Sequence, residues 1–172
     1  MHLRSCRSPL PSLLACGLLA TGVRAIPATP QAPTGGGATY TNSTPVAILD
    51  LATANSTIVV SGALPSLLDL NLRTFITHTF AADLDITLTS PAGTVVTVTT
   101  DNGAGNNDVF NGTHWDNDAG DPVTDAVFAD AVVETPLAPE ESFAAFVGED
   151  PNGTWTLTIT DDAGADVGTL QS

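Results

Sequence analysis

Residues 153–161 read Gly-Thr-Trp-Thr-Leu-Thr-Ile-Thr-Asp, a strict alternation of hydroxyl and apolar side chains. Successive side chains of an extended chain point to opposite faces, so Trp155, Leu157 and Ile159 share one face and the threonines the other. A helix of the same sequence would scatter the apolar groups around its axis, so the pattern predicts a half-buried strand. Runs rich in Val, Ile, Leu and Thr recur at 46–51, 56–60, 69–78, 83–89 and 94–100, each bounded by Gly, Pro, Asn or Asp. No stretch sustains a helical period between caps. The expectation is an all-β domain, most simply a sandwich.

One connection can be read in detail. Leu84, Ile86 and Leu88 share a face, Ser90-Pro91-Ala92-Gly93 supplies a turn with Gly where positive φ is needed, and 94–100 returns antiparallel. At the other end, the turn-forming stretch 161–168 follows the alternating strand and should reverse the chain. Only Thr169-Leu170-Gln171-Ser172 comes after it, so the sequence leaves the last strand apparently missing.

The domain does not begin at Met1. Arg4 and Arg7 precede an apolar run over 10–23, and Val23-Arg24-Ala25 presents small residues where a signal peptidase reads, so 1–25 is expected to be a secretory signal. The run is shorter than the roughly 20 residues that cross a bilayer. A lipoprotein site at Leu13-Leu14-Ala15-Cys16 is the weaker alternative. Cys6 and Cys16 both lie in this segment, so the exported body would hold no disulfide. Residues 26–41, with Pro27, Pro30, Pro33 and three consecutive glycines, read as a linker, and 42–172 as the folded domain.

All 19 acidic residues follow the signal, where Arg73 is the one residue carrying a fixed positive charge, giving 1 against 19, or −18. A surface of that sign repels phosphate backbones and anionic membranes, which excludes nucleic acid and a lipid partner after signal cleavage. It suits divalent cations, or simply solubility in a saline, extracellular setting.

The stretches THTFAADLDITLTSPAGTVV (77–96), THWDNDAGD (113–121) and PLAPEESFAAFVGEDPNGTWTLTITDDAGADVGTL (136–170) together resemble the P domain, or Homo B domain, of the proprotein convertases and of bacterial secreted proteins. The motifs are dispersed and in the right order, which makes them more specific than any one of them alone. The resemblance implies a jelly-roll β-sandwich of the galactose-binding-domain-like kind, itself non-catalytic. In kexin- and furin-type enzymes such a domain follows a subtilisin-like serine endopeptidase domain and stabilises it. It implies a subtilisin-like partner in cis or in trans, a monomer, and a context of extracellular proteolysis. Two positions depart from the pattern: Ala82 stands for the usual Gly before Asp83, and Asn117 for a second consecutive acid. The family also adds a strand after its Gly-x-Leu, here Gly168-Thr169-Leu170.

Residue chemistry fits a non-catalytic module. Beyond the signal, His78 and His114 are the available bases, and neither accompanies a hydrolase-type serine motif. By resemblance His78 is a structural hydrogen-bonding residue, while His114 either helps a metal site or is exposed. Asp116, Asn117, Asp118 and Asp121 form the densest oxygen cluster, either a calcium site or a solvated acidic turn. Asp101, Asn102, Asn106, Asn107 and Asp108 are a second candidate, equally readable as a glycine-rich loop. Asp161 and Asp166 bracket the last turn and are expected to bind backbone N–H groups. Trp155 is expected in the core with its ring N–H bonded to backbone. Sequons start at Asn42, Asn55, Asn111 and Asn152. The alternative function is a calcium-dependent adhesive or carbohydrate-binding module, which would expose an aromatic platform where the accessory module buries Trp155.

Overall fold

The structure, a computed structural model, describes residues 37–172. The expected signal peptide and most of the expected linker lie outside the described residues.

Eight strands form two four-stranded antiparallel sheets. They are β1 (Val46–Ile48), β2 (Thr53–Val60), β3 (Leu72–His78), β4 (Leu84–Thr89), β5 (Val95–Thr99), β6 (Asn111–Trp115), β7 (Gly153–Asp161) and β8 (Gly168–Leu170). One sheet has the order β1-β8-β3-β6 and the other β2-β7-β4-β5. Short 3₁₀ turns occupy Ala81–Asp83 and Phe143–Phe146. The β4–β5 hairpin closes as expected, with Gly93 at φ 90° donating its N–H to Ser90 O at 3.0 Å.

The alternation that marks β7 is spent on pairing at both flanks. Trp155 lies opposite Ile58 on β2, and Ile159 lies between Ala54 on β2 and Ile86 on β4. The inward faces of this sheet meet Ile48, Ile76, Trp115 and Leu170 from the other, and all of these are buried. Apolar surface removed from water between the sheets supplies the main driving force for the fold.

Two strands were not visible in the sequence. β6 lies in what reads as an acidic loop, because only Thr113 and Trp115 of its five residues point inward and Gly112 interrupts any period. β8 is only three residues long. It nevertheless lies between β1 and β3, pairing Val46 and Ile76 with Leu170 and both Ile48 and His78 with Gly168. The stretch 161–168 therefore does have a returning strand, the short β8 formed by Gly168–Leu170 itself, where the sequence suggested that none followed the turn. The return is made in the opposite sheet rather than beside β7. Gln171 N–H donates to Phe75 O and Phe75 N–H to Ser172 O, which extends the pairing past Leu170. Gly168 is required there because a Cβ would stand 2.2 Å from Thr77 O.

The registers set all four sheet-to-sheet crossings, β1 to β2, β3 to β4, β5 to β6 and β7 to β8, at one end of the sandwich. The long connection 116–152 wraps the rest. It buries Val123, Leu137, Phe143 and Phe146 and covers the free edge of β5 with N–H groups of Glu140 and Glu141 donating to Val98 O and Thr97 O. Covering that edge removes a template for strand addition by another chain.

Candidate functional site

The chemically densest region is the end where the chain crosses four times between the sheets. His78 closes β3 in one sheet and Asp161 closes β7 in the other; His78 Nε2 donates to Asp161 Oδ2 at 3.1 Å. The second ring nitrogen, Nδ1, lies 2.8 Å from Phe80 O, and the backbone N–H of His78 donates to Asp108 Oδ1 at 2.9 Å. Both side chains are buried, the residues being 2% and 1% exposed. His78 is thus a structural bridge between sheets.

Asp83, 6% exposed, begins next to this pair, because the register sets Leu84 opposite Asp161 and Asp162 N–H donates to Asp83 O at 3.0 Å. Burial pushes its carboxyl above the usual carboxylate range, and the neighbouring carboxylates of Asp161 and then Asp166 push it further, against the opposing effect of His78. Burial also raises Asp85, helped by Asp162, Asp101 and Glu140.

The expected turn roles redistribute. Asp161 binds an imidazole rather than backbone, and Asp166 Oδ1 accepts the Thr79 hydroxyl at 2.7 Å. The backbone N–H of Ala165 is instead bound by Asp50 Oδ1 at 3.1 Å, from the β1–β2 crossing. No local signal marks Asp50 for this task, since it lies 115 positions away along the chain.

The residues expected to hold calcium sit on the connection after β6. Asp116 Oδ1 accepts the N–H of Asp118 at 2.8 Å, and Asn117 Oδ1 accepts the N–H of Phe143 at 2.8 Å, pinning the turn to the 3₁₀ turn that follows. Asp121 lines an open cavity of about 290 Å³ together with Asp125, Glu134 and Leu137. Among the described residues, no three His, Cys, Asp or Glu side chains converge as a metal-binding group. The hydrogen bonds of Asp116 and Asn117 stitch this turn together and to Phe143.

The second acidic candidate is likewise stitched into the fold. Asn102 Nδ2 donates to Thr100 O and Glu140 Oε1, Asn106 Nδ2 donates to Gly103 O, and the backbone N–H of Asn107 donates to Asp130 Oδ1. His114 is on β6 opposite Arg73, with its N–H donating to Thr135 Oγ1 and its carbonyl accepting from Leu137 N–H.

Both tryptophans belong to the core. Trp155, 7% exposed, donates its ring N–H to Pro151 O at 2.9 Å and meets Phe146 edge to face at 5.1 Å. Trp115, fully buried, donates to Thr74 Oγ1 at 3.0 Å. Among the described residues no helix is long and apolar enough to cross a membrane.

The family model for the proprotein convertase P domain matches residues 67–172, well over half of the chain. No curated protein matches it. β1 and β2 precede the matched stretch, yet they pair with β8 and β7 inside it.

Proposed function

Because the chain belongs to the proprotein convertase P-domain family, we propose that it is a secreted, non-catalytic module that stabilises or positions a subtilisin-like protease domain, carried in cis or met in trans. The observation that carries this reading is the family match over β3 to β8. The two buried tryptophans support it as well, because the competing carbohydrate-binding or adhesive reading needs an exposed aromatic platform. The nested pairing of β1 with β8 and of β2 with β7 supports the jelly-roll form of the sandwich. Fold by itself does not specify activity, so the role rests on the family.

The module acts as a monomer outside the cell, and the turn carrying Asp116, Asn117, Asp118 and Asp121 is its first calcium candidate. The deciding experiment adds the purified full chain to a kexin-type catalytic domain deprived of its own P domain and follows the half-life of peptidase activity on a dibasic peptide. A longer half-life supports the reading. An unchanged half-life, with binding of immobilised glycans by the same preparation, replaces it with the adhesive one.

A further inference from the structure

We infer that the open cavity between the turn at 121–127 and the stretch 134–137 receives an arginine side chain of a partner polypeptide. The inference concerns one side-chain subsite and stands apart from the protease-accessory role.

The walls of this cavity are fixed by the fold. On one side Leu137 N–H donates to His114 O and Asp116 N–H to Leu137 O; on the other, Ala138 N–H donates to Asp121 O and Val123 N–H to Ala138 O. Thr113 Oγ1 donates to Glu134 O and Asp125 N–H to Pro122 O, which anchors both lips. The space of about 290 Å³ is thus shaped before any partner arrives. Ligand pockets run from roughly 300 to roughly 1,000 Å³, so this one suits a single side chain.

The lining is of two kinds. Leu137, Pro136 and Val127 are apolar, and Val127, 85% exposed, is the most exposed large apolar side chain among the described residues. Asp121, Asp125 and Glu134 are acids. No cation of the domain answers them: the one ion pair among the described residues is His78–Asp161, and Arg73 is engaged with Gly112 O and the Phe75 ring. The complementary occupant therefore carries a positive charge on an apolar stem. A metal ion has the wrong shape, because these carboxylates do not converge on one point. A guanidinium spreads five donors over a plane and serves separated carboxylates, while its methylenes cover Val127 and Leu137. Lysine offers a point charge that water holds more tightly.

The test follows backbone amide NMR signals of the full chain during titration with the end-blocked peptide Gly-Ser-Arg-Ser-Gly, at physiological ionic strength and with a chelator present. The expected result is saturable shifts centred on Val127 and Leu137. A peptide with citrulline for arginine keeps the shape and loses the charge, and should bind at least about fivefold more weakly. Glu134→Gln should weaken the arginine peptide by the same factor, whereas Asp162→Asn, which removes an equal charge beside Asp83, should change it by less than about twofold. Asp125→Asn, on the opposite lip, repeats the measurement should Glu134→Gln fail to fold. Four results overturn the proposal: no saturable binding, equal binding of the citrulline peptide, equal losses in Glu134→Gln and Asp162→Asn, which is screening by the whole acidic surface, or displacement of the peptide by spermine at matching affinity, which makes the cavity a site for small amines.

Discussion

His78 and Asp161 are 83 residues apart in the chain and 3.1 Å apart in the fold, where they join the end of β3 in one sheet to the end of β7 in the other. The pair is buried, so removing one member leaves the other without its partner in a medium that solvates it poorly. Asp161→Ala and His78→Ala are each expected to cost about 3–5 kcal/mol. The double variant should cost well under the sum, because the second substitution removes the group that the first orphaned. Denaturant midpoints of the four proteins give the coupling; strict additivity would show that the two side chains act independently.

Asp83 gives the fold a pH dependence of definite sign. Its carboxyl is raised first by burial and then by Asp161, so the folded state retains a proton that the unfolded chain releases. The contribution is complete below the ordinary carboxylate range and is lost as pH rises through the raised folded value. Asp83→Asn should flatten this fall and melt higher at neutral pH in calcium-free buffer. Melting curves from about pH 4 to about pH 7 check it. Glu141 and Asp150 act oppositely, each held below its usual range by a backbone N–H, from Thr97 and Asn152 respectively.

Trp155 fills the space between β7 and the turn at Phe143–Phe146, and its ring N–H binds Pro151 O. Trp155→Ala is expected to destabilise by about 3–5 kcal/mol through the cavity it leaves. Trp155→Phe should cost about 1–3 kcal/mol, since the Pro151 carbonyl loses its donor while much of the apolar volume stays. Equal losses in the two variants would indicate that volume is irrelevant at this position.

Gly168 is where β8 passes closest to β3. An added Cβ would stand 2.2 Å from Thr77 O and 2.6 Å from the His78 ring, so backbone must move to admit it. Gly168→Ala is expected to cost about 1–3 kcal/mol, with hydrogen exchange accelerated at Leu170 and Ile76, which pair across the same ladder. Protection left unchanged at both would mean that β8 is not held by this contact.

In hydrolysis assays the purified full chain should leave casein and dibasic peptides intact. The imidazole of His78 is occupied on both nitrogens by Phe80 O and Asp161, so it is not positioned to activate a serine. Cleavage sensitive to a serine-protease inhibitor and reproduced by His78→Ala would show that another group does the chemistry.

Residue order made legible only what a single strand or turn states locally. The Thr/apolar alternation marked β7 and the burial of Trp155, and Ser90-Pro91-Ala92-Gly93 marked the β4–β5 hairpin, because side-chain period and turn geometry depend on neighbouring residues. The ordered motifs from 77 to 170 identified the family for the same reason: each is a short local constraint. Tertiary structure decided the rest. Three residues are too few to display a period, so β8 became a strand only because β1 and β3 flank it on both sides. Whether a carboxylate binds backbone, imidazole or hydroxyl depends on which loops converge. Asp161 therefore went to His78, Asp166 to Thr79, and the turn they bracket to Asp50, partners 83, 87 and 115 positions distant that the two sheets bring together only when they close on their shared core.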